Sequence, residues 1–262
     1  MEPTVACSCA HDIAKAFAHL KEREAEHQLA ELYQTSLMSA LIDGVYEGNM
    51  TIAELLEHGD FGLGTFNDLD GELVAFDSEV HQLREDGSAR VAEMDQKTPF
   101  AVITNFRPTM SGQLTTTLDK VDVQKIIDEL VDSPNLFCAF RIDGHFEHVA
   151  TRTVPRQMKP YRPMLQAIER QPTYRFEDTV GTMVGFRCPA YVQGINVAGF
   201  HVHYITRDRR GGGHVLDYRL LEGKLEVAKI SKLRIDLPQT RHFQQATLHS
   251  EDMSKAIEAA EG

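Results

Sequence analysis

The sequence predicts an α/β chain of the α+β kind: two strand-rich domains with mixed β-sheets and peripheral helices, and a metal site on a β-hairpin. Three observations carry the fold class. From residue 60 onward, short apolar stretches alternate with glycine-rich turn signals, as strands joined by tight connections do. Helical periodicity is confined to the ends of the chain and to segments between strand groups. The regular β-α-β alternation of a doubly wound parallel sheet is missing. A length of 262 residues allows one large domain or two small ones. Pro155, Pro160, Pro163 and Pro172 cluster shortly after the midpoint of the chain. The predicted division is therefore a tail and helix over 1–32, a mixed-sheet domain over 33–170 and a β-rich domain over 171–262.

Residues 1–10 read as a loose tail, and 11–33, with Ala14, Phe17, Ala18 and Leu20 as a partial stripe, as a solvated helix. Ser36 to Leu41 forms a short apolar helix ending near Gly44. Thr51 followed by Glu54 is a capping box, opening a helix that Gly59 closes. TFNDLDGELVAFD is a hairpin turning near Asp70 and Gly71, and Gly62 and Gly64 mark a tight bend beside a strand. Strands follow near 79–83, 88–94 and 99–106, then a helix over 121–131. FCAFRID and HVATRTV read as two paired strands around Asp143 and Gly144, and Pro163 introduces a short helix over 164–171. YRFEDTVGTMVGFRCP, GFHVHYIT, GHVLDYRLLEG and KLEVAKISKLRIDLP are strands, and 250–261 is a closing helix capped by Ser250.

Asp and Glu number 39 against 27 Lys and Arg, a net charge of −12. So acidic a chain is a poor match for nucleic-acid backbones or anionic membranes, although a local basic site could still receive a small anion. No apolar run approaches the ~18 residues a membrane helix needs, and no secretory leader is evident. The expected compartment is the cytoplasm. Four cysteines make no disulfide framework: Cys138 and Cys188 sit in apolar segments as buried free thiols, and Cys7 and Cys9 are a weak tail pair.

The most informative segment is GFHVHYITRDRRGGGHVLDY. His201 and His203 lie two apart, on one face of a strand. Arg207 to Gly213 reads as the loop of a hairpin, and His214 opens the second strand. A register placing His214 opposite Ile205 brings three imidazoles to one face, whereas a slip of one residue turns His214 away. Three neutral imidazoles with open positions suit a catalytic Zn²⁺, although Fe, Co, Ni or Mn also accept them. A cupin-like oxygenase using Fe²⁺ would add a Glu shortly after the HxH pair, and Tyr204 to Asp208 contains none. A non-catalytic metal-binding protein is the third alternative. His145 and His148 flank the expected turn and read as solvated. Arg152 and Arg156 are either strand-end charge or a carboxylate clamp.

Taken with YQTSLMSALIDGVYEGNMTIAELLEHGDFGLGTFNDLDGELVAFD, TPFAVITNFRP, RIDGHF, TRTVPRQ and the closing AIEAAEG, that segment resembles the acetolactate decarboxylase family from about Tyr33 to Gly262. The resemblance implies conversion of 2-acetolactate to (R)-acetoin and CO₂, usually by a homodimer. It implies Zn²⁺ held by His201, His203 and His214. It also implies catalytic roles for Glu72, Arg152 and Glu261, with Glu258 as the alternative tail residue, and a substrate-lining role for Thr65. The substrate's own ketone can take up the electrons left by CO₂, so no organic cofactor is required.

Overall fold

The computed structural model describes residues 30–249 and 255–257. The expected tail, most of the first helix, Cys7, Cys9, Ser250, Glu258 and Glu261 lie outside the described residues. The strands are β1 (Ala30–Thr35), β2 (Met50–Thr51), β3 (Phe61–Thr65), β4 (Glu72–Phe76), β5 (Glu79–Leu83), β6 (Ala89–Val91), β7 (Lys97–Thr98), β8 (Phe100–Thr104), β9 (Met110–Leu114), β10 (Leu118–Asp119), β11 (Phe137–Arg152), β12 (Thr173–Cys188), β13 (Gly199–Thr206) and β14 (Gly212–Asp236). The helices are α1 (Met38–Ile42), α2 (Ile52–Leu56), α3 (Lys120–Val131), α4 (Met164–Ala167) and α5 (Arg241–Gln245).

Twelve strands form one mixed sheet in the order β11-β12-β13-β14-β1-β8-β3-β4-β5-β6, with β9 and β10 added along β14; β2 and β7 make a separate ribbon. β14 also pairs with β11, so β11, β12, β13 and β14 close into a ring. One strand of 25 residues can serve this many partners because successive stretches meet different neighbours. Its first residues meet β13, its middle lies between β11 and β9, and its last seven residues run parallel to β1.

Several local expectations hold. The Thr51–Glu54 capping box is formed, and Gly44 ends the α1 segment at φ +99°. In α3, Val123, Ile126, Ile127 and Leu130 make the buried stripe and pack with Ile142, Phe146 and Leu225. Cys138 and Cys188 are buried free thiols; burial pushes Cys138 up to about 12 and raises Cys188 as well.

Others are corrected. The end of the expected first helix is β1, held between β8 and β14 with Leu32 and Tyr33 buried; pairing on both edges overrides helix-forming composition. Gly62 and Gly64 lie inside β3 rather than at a bend, where β8 approaches too closely for a side chain. The strand pair expected around Asp143 and Gly144 is the single strand β11, and 212–236 is likewise one strand. Gly144 marks close packing there, not a turn: a Cβ on it would sit 2.7 Å from Leu220 Cδ1. Apart from these corrections, the proposed division at 170/171 lies between β11 and β12, which pair from Cys138–Arg187 to Arg152–Thr173.

Candidate metal centre and adjoining cavity

β13 turns His201 and His203 to one face, and β14 returns with His214 directly opposite His203. Ile205 faces Gly212 instead of His214, so the register differs from the expected one by two residues. A shift of two keeps His214 on the same face, because side-chain direction repeats every second residue. The three rings lie with centroids 4.9, 5.0 and 5.5 Å apart, and one nitrogen from each falls within 4.8 Å of the others. All three side chains are buried.

His203 Nδ1 lies 2.7 Å from the Leu73 carbonyl oxygen. A carbonyl only accepts, so Nδ1 carries the proton and Nε2 presents its lone pair. That Nε2 is 3.2 Å from His201 Nε2 and 3.7 Å from Glu72 Oε2. Burial pushes His201 and His214 well below the ordinary imidazole value and His203 to about 4, and the Arg152 charge lowers all three further. Three buried imidazoles that stay neutral, one with its tautomer set by a backbone carbonyl, could hold a metal ion.

The same burial has a consequence for stability. In the unfolded chain these imidazoles protonate near 6.5, whereas His203 protonates at about 4 when folded. The unfolded state therefore binds the proton first as pH falls, and stability present above pH 6.5 is lost down to pH 4. His203 alone accounts for about 3 kcal/mol. Denaturant unfolding of the metal-free protein across that range is expected to show the fall, and a flat profile would contradict it.

Glu72 opens β4 opposite Thr65, the last residue of β3. Both side chains, with His201, line a small cavity capped by Met38 and Leu41 of α1 and Met164 of α4. Thr65 Oγ1 donates to the Gly71 carbonyl at 2.8 Å, which holds the short turn leading to Glu72. Arg152 ends β11 opposite His214 and is 4% exposed, a guanidinium inside the protein beside the imidazoles. Arg156, four residues on, is instead exposed and paired with Asp68 at 2.7 Å. His145 and His148 are half-buried, within reach of Asp178 and Asp217, and take no part in the cluster. Ala256 and Ile257 are buried in the apolar cluster that also contains Met38, Leu41 and Met164.

Sequence reasoning missed three contributors: the Leu73 carbonyl, the apolar cap, and Lys120 at the start of α3. Lys120 Nζ donates to the Leu216 carbonyl at 2.9 Å and its charge adds to those lowering His214. A backbone carbonyl has no residue signature, and nothing local marks Lys120 as a neighbour of a histidine 94 positions on.

The sequence profile described as alpha-acetolactate decarboxylase matches residues 32–250. The chain is 54% identical over 255 residues to a protein of that name from Raoultella terrigena, with 97% of each chain covered. It is 42% identical over 243 residues to its counterpart from Bacillus subtilis strain 168, covering 93% of this chain and 95% of that one. A crystal structure of alpha-acetolactate decarboxylase from the same Bacillus strain superposes with a TM-score of 0.87 at 44% identity, covering 88% of this chain and 99% of that chain.

Proposed function

This chain belongs to the alpha-acetolactate decarboxylase family and is a carboxy-lyase, and from that premise we propose that it converts (S)-2-acetolactate to (R)-acetoin and CO₂ with Zn²⁺ held by His201, His203 and His214. The observation that carries the proposal is convergence: Glu72 and Thr65 from one hairpin meet His201 from another across one capped cavity. A metal ion held by these three imidazoles would supply Lewis acidity to the substrate.

The chain's own residues do the rest. Arg152, buried and cationic, orients the substrate's carboxylate or alkoxide by charge-assisted hydrogen bonds. Breaking the bond to CO₂ leaves an electron pair that passes into the neighbouring ketone. Glu72 manages the hydroxyl proton, and Thr65 lines the pocket. A proton must then reach carbon on one face. We assign that delivery to Glu261, which follows Ile257 by four residues in sequence, with Glu258 as the alternative. Met38, Leu41 and Met164 limit access of bulk water, which would otherwise compete as an unselective acid. We place the reaction in cytoplasmic formation of acetoin and butanediol, carried out by a homodimer.

The test is acetoin formation from racemic acetolactate with chiral product analysis, before and after chelation and zinc return. (R)-acetoin that disappears with chelator and returns with zinc is expected. No acetoin from folded, zinc-loaded protein would overturn the assignment, and oxygen uptake would favour an Fe²⁺ oxygenase instead.

A further inference from the structure

A second and larger concavity lies away from the histidine cluster. It has a volume of about 690 Å³, within the range of small-molecule sites, and shares no residue with the cavity at Glu72. Its floor has a structural cause. Gly144 of β11 stands in register with Gly181 of β12 on one side and Gly223 of β14 on the other. A Cβ on Gly144 or Gly223 would reach Leu220, and one on Gly181 would reach the Tyr204 ring. The outer face of this row is therefore bare backbone, with the flanking side chains standing up around it.

Four cations reach this cleft in a chain of net charge −12: Arg141, Arg207, Arg209 and Lys224. Two are already engaged. Arg141 is paired at 2.7 Å with both Asp77 and Asp143, and Lys224 lies 2.6 Å from Glu226. The other two belong to the loop joining β13 to β14, between His203 and His214. Arg207 is exposed and its side chain has no ion pair among the described residues. Arg209 is held with its guanidinium carbon 4.0 Å from the Phe76 ring centroid. Its Nη1 is buried and has no hydrogen-bond partner among the described residues. The cleft thus offers a guanidinium held on Phe76, a second free guanidinium and neutral donor capacity from Gln113, beside the carboxylates of Asp143 and Glu222.

We propose that this cleft is a second ligand site, which takes a small oxyanion, a carboxylate or a phosphate, on the guanidinium groups of Arg207 and Arg209. Guanidinium forks match the paired oxygens of either group. An occupant would also brace the turn that connects two of the histidines at the metal centre.

The test is calorimetric titration of the zinc-loaded enzyme with inorganic phosphate and, separately, malonate, against chloride at matched ionic strength. One saturable event with either oxyanion and none with chloride is expected. Phosphate alone, malonate alone or both would identify which oxyanion source the site accepts. Arg207→Gln and Arg209→Met are each expected to weaken binding about tenfold or more, the loss of one charge-assisted contact. Arg209 packs on Phe76, so Arg209→Met could fail to fold; Arg207→Gln, on an exposed loop, then decides. Binding undiminished by Arg207→Gln would mean that the anion sits elsewhere, the metal centre included. That result, or no saturable binding to the unaltered enzyme, would overturn the proposal.

Discussion

Replacing His214 with alanine is expected to abolish tight metal retention and lower acetoin formation by about a thousandfold or more, the several kcal/mol that a Lewis acid supplies to a developing negative charge. The reason is geometric. His214 is the one member of the cluster that comes from β14, and β13 and β14 pair only from His203–His214 to Ile205–Gly212. A metal held across that short ladder ties the two strands together, so zinc is expected to raise the melting temperature of the unaltered protein by mass action. The same addition should leave His214→Ala unmoved. His242→Ala is the matched control, since His242 is exposed on α5 and stacks on Tyr161 far along the chain from the cluster. Metal content, melting shift and rate are read on the same preparations. A His214→Ala protein that keeps its zinc and its rate would remove this residue from the site.

Glu72→Gln is expected to lower kcat by about a hundredfold to ten-thousandfold, the usual weight of a positioned acid or base. Metal content should be nearly unchanged, because Glu72 Oε2 lies 3.7 Å from His203 Nε2 while the tautomer of His203 is set by the Leu73 carbonyl. The substitution keeps the volume of the side chain and removes its capacity to take a proton. Glu261→Gln separates the second role: it should slow the reaction and erode the chirality of the acetoin. Intact rate and chirality in that variant would transfer proton delivery to Glu258 or to another acid.

The two variants probe a site that was unevenly legible in the residues. His201 and His203 could be placed on one face from spacing alone, and His214 joined them on the expected hairpin register. That conclusion survived a register two residues away from the expected one, because the pleat repeats every two residues. The capping box at Thr51 and the buried stripe of α3 were equally readable, since both are governed by neighbours within four positions. Gly144 was misread for the opposite reason. An aspartate followed by glycine is turn chemistry in isolation, yet here Gly144 is aligned with Gly181 and Gly223 and lies inside a 16-residue strand. The helix formers before Tyr33 misled in the same way, because what makes β1 a strand is the unpaired edge that β8 and β14 offer it.

By itself, then, the sequence determined the family and the identities of the three histidines that could hold a metal, which rest on residue type and short-range periodicity. The tertiary structure alone decided how the rest of the site meets them. Closure of β11 through β14 into a ring sets Arg152 opposite His214, and packing of β4 against β13 brings Glu72 and the Leu73 carbonyl to His203. These partners are separated by 62 to 131 positions. Contacts over such distances depend on which surfaces the whole chain can bury together, and local spacing carries no record of that choice.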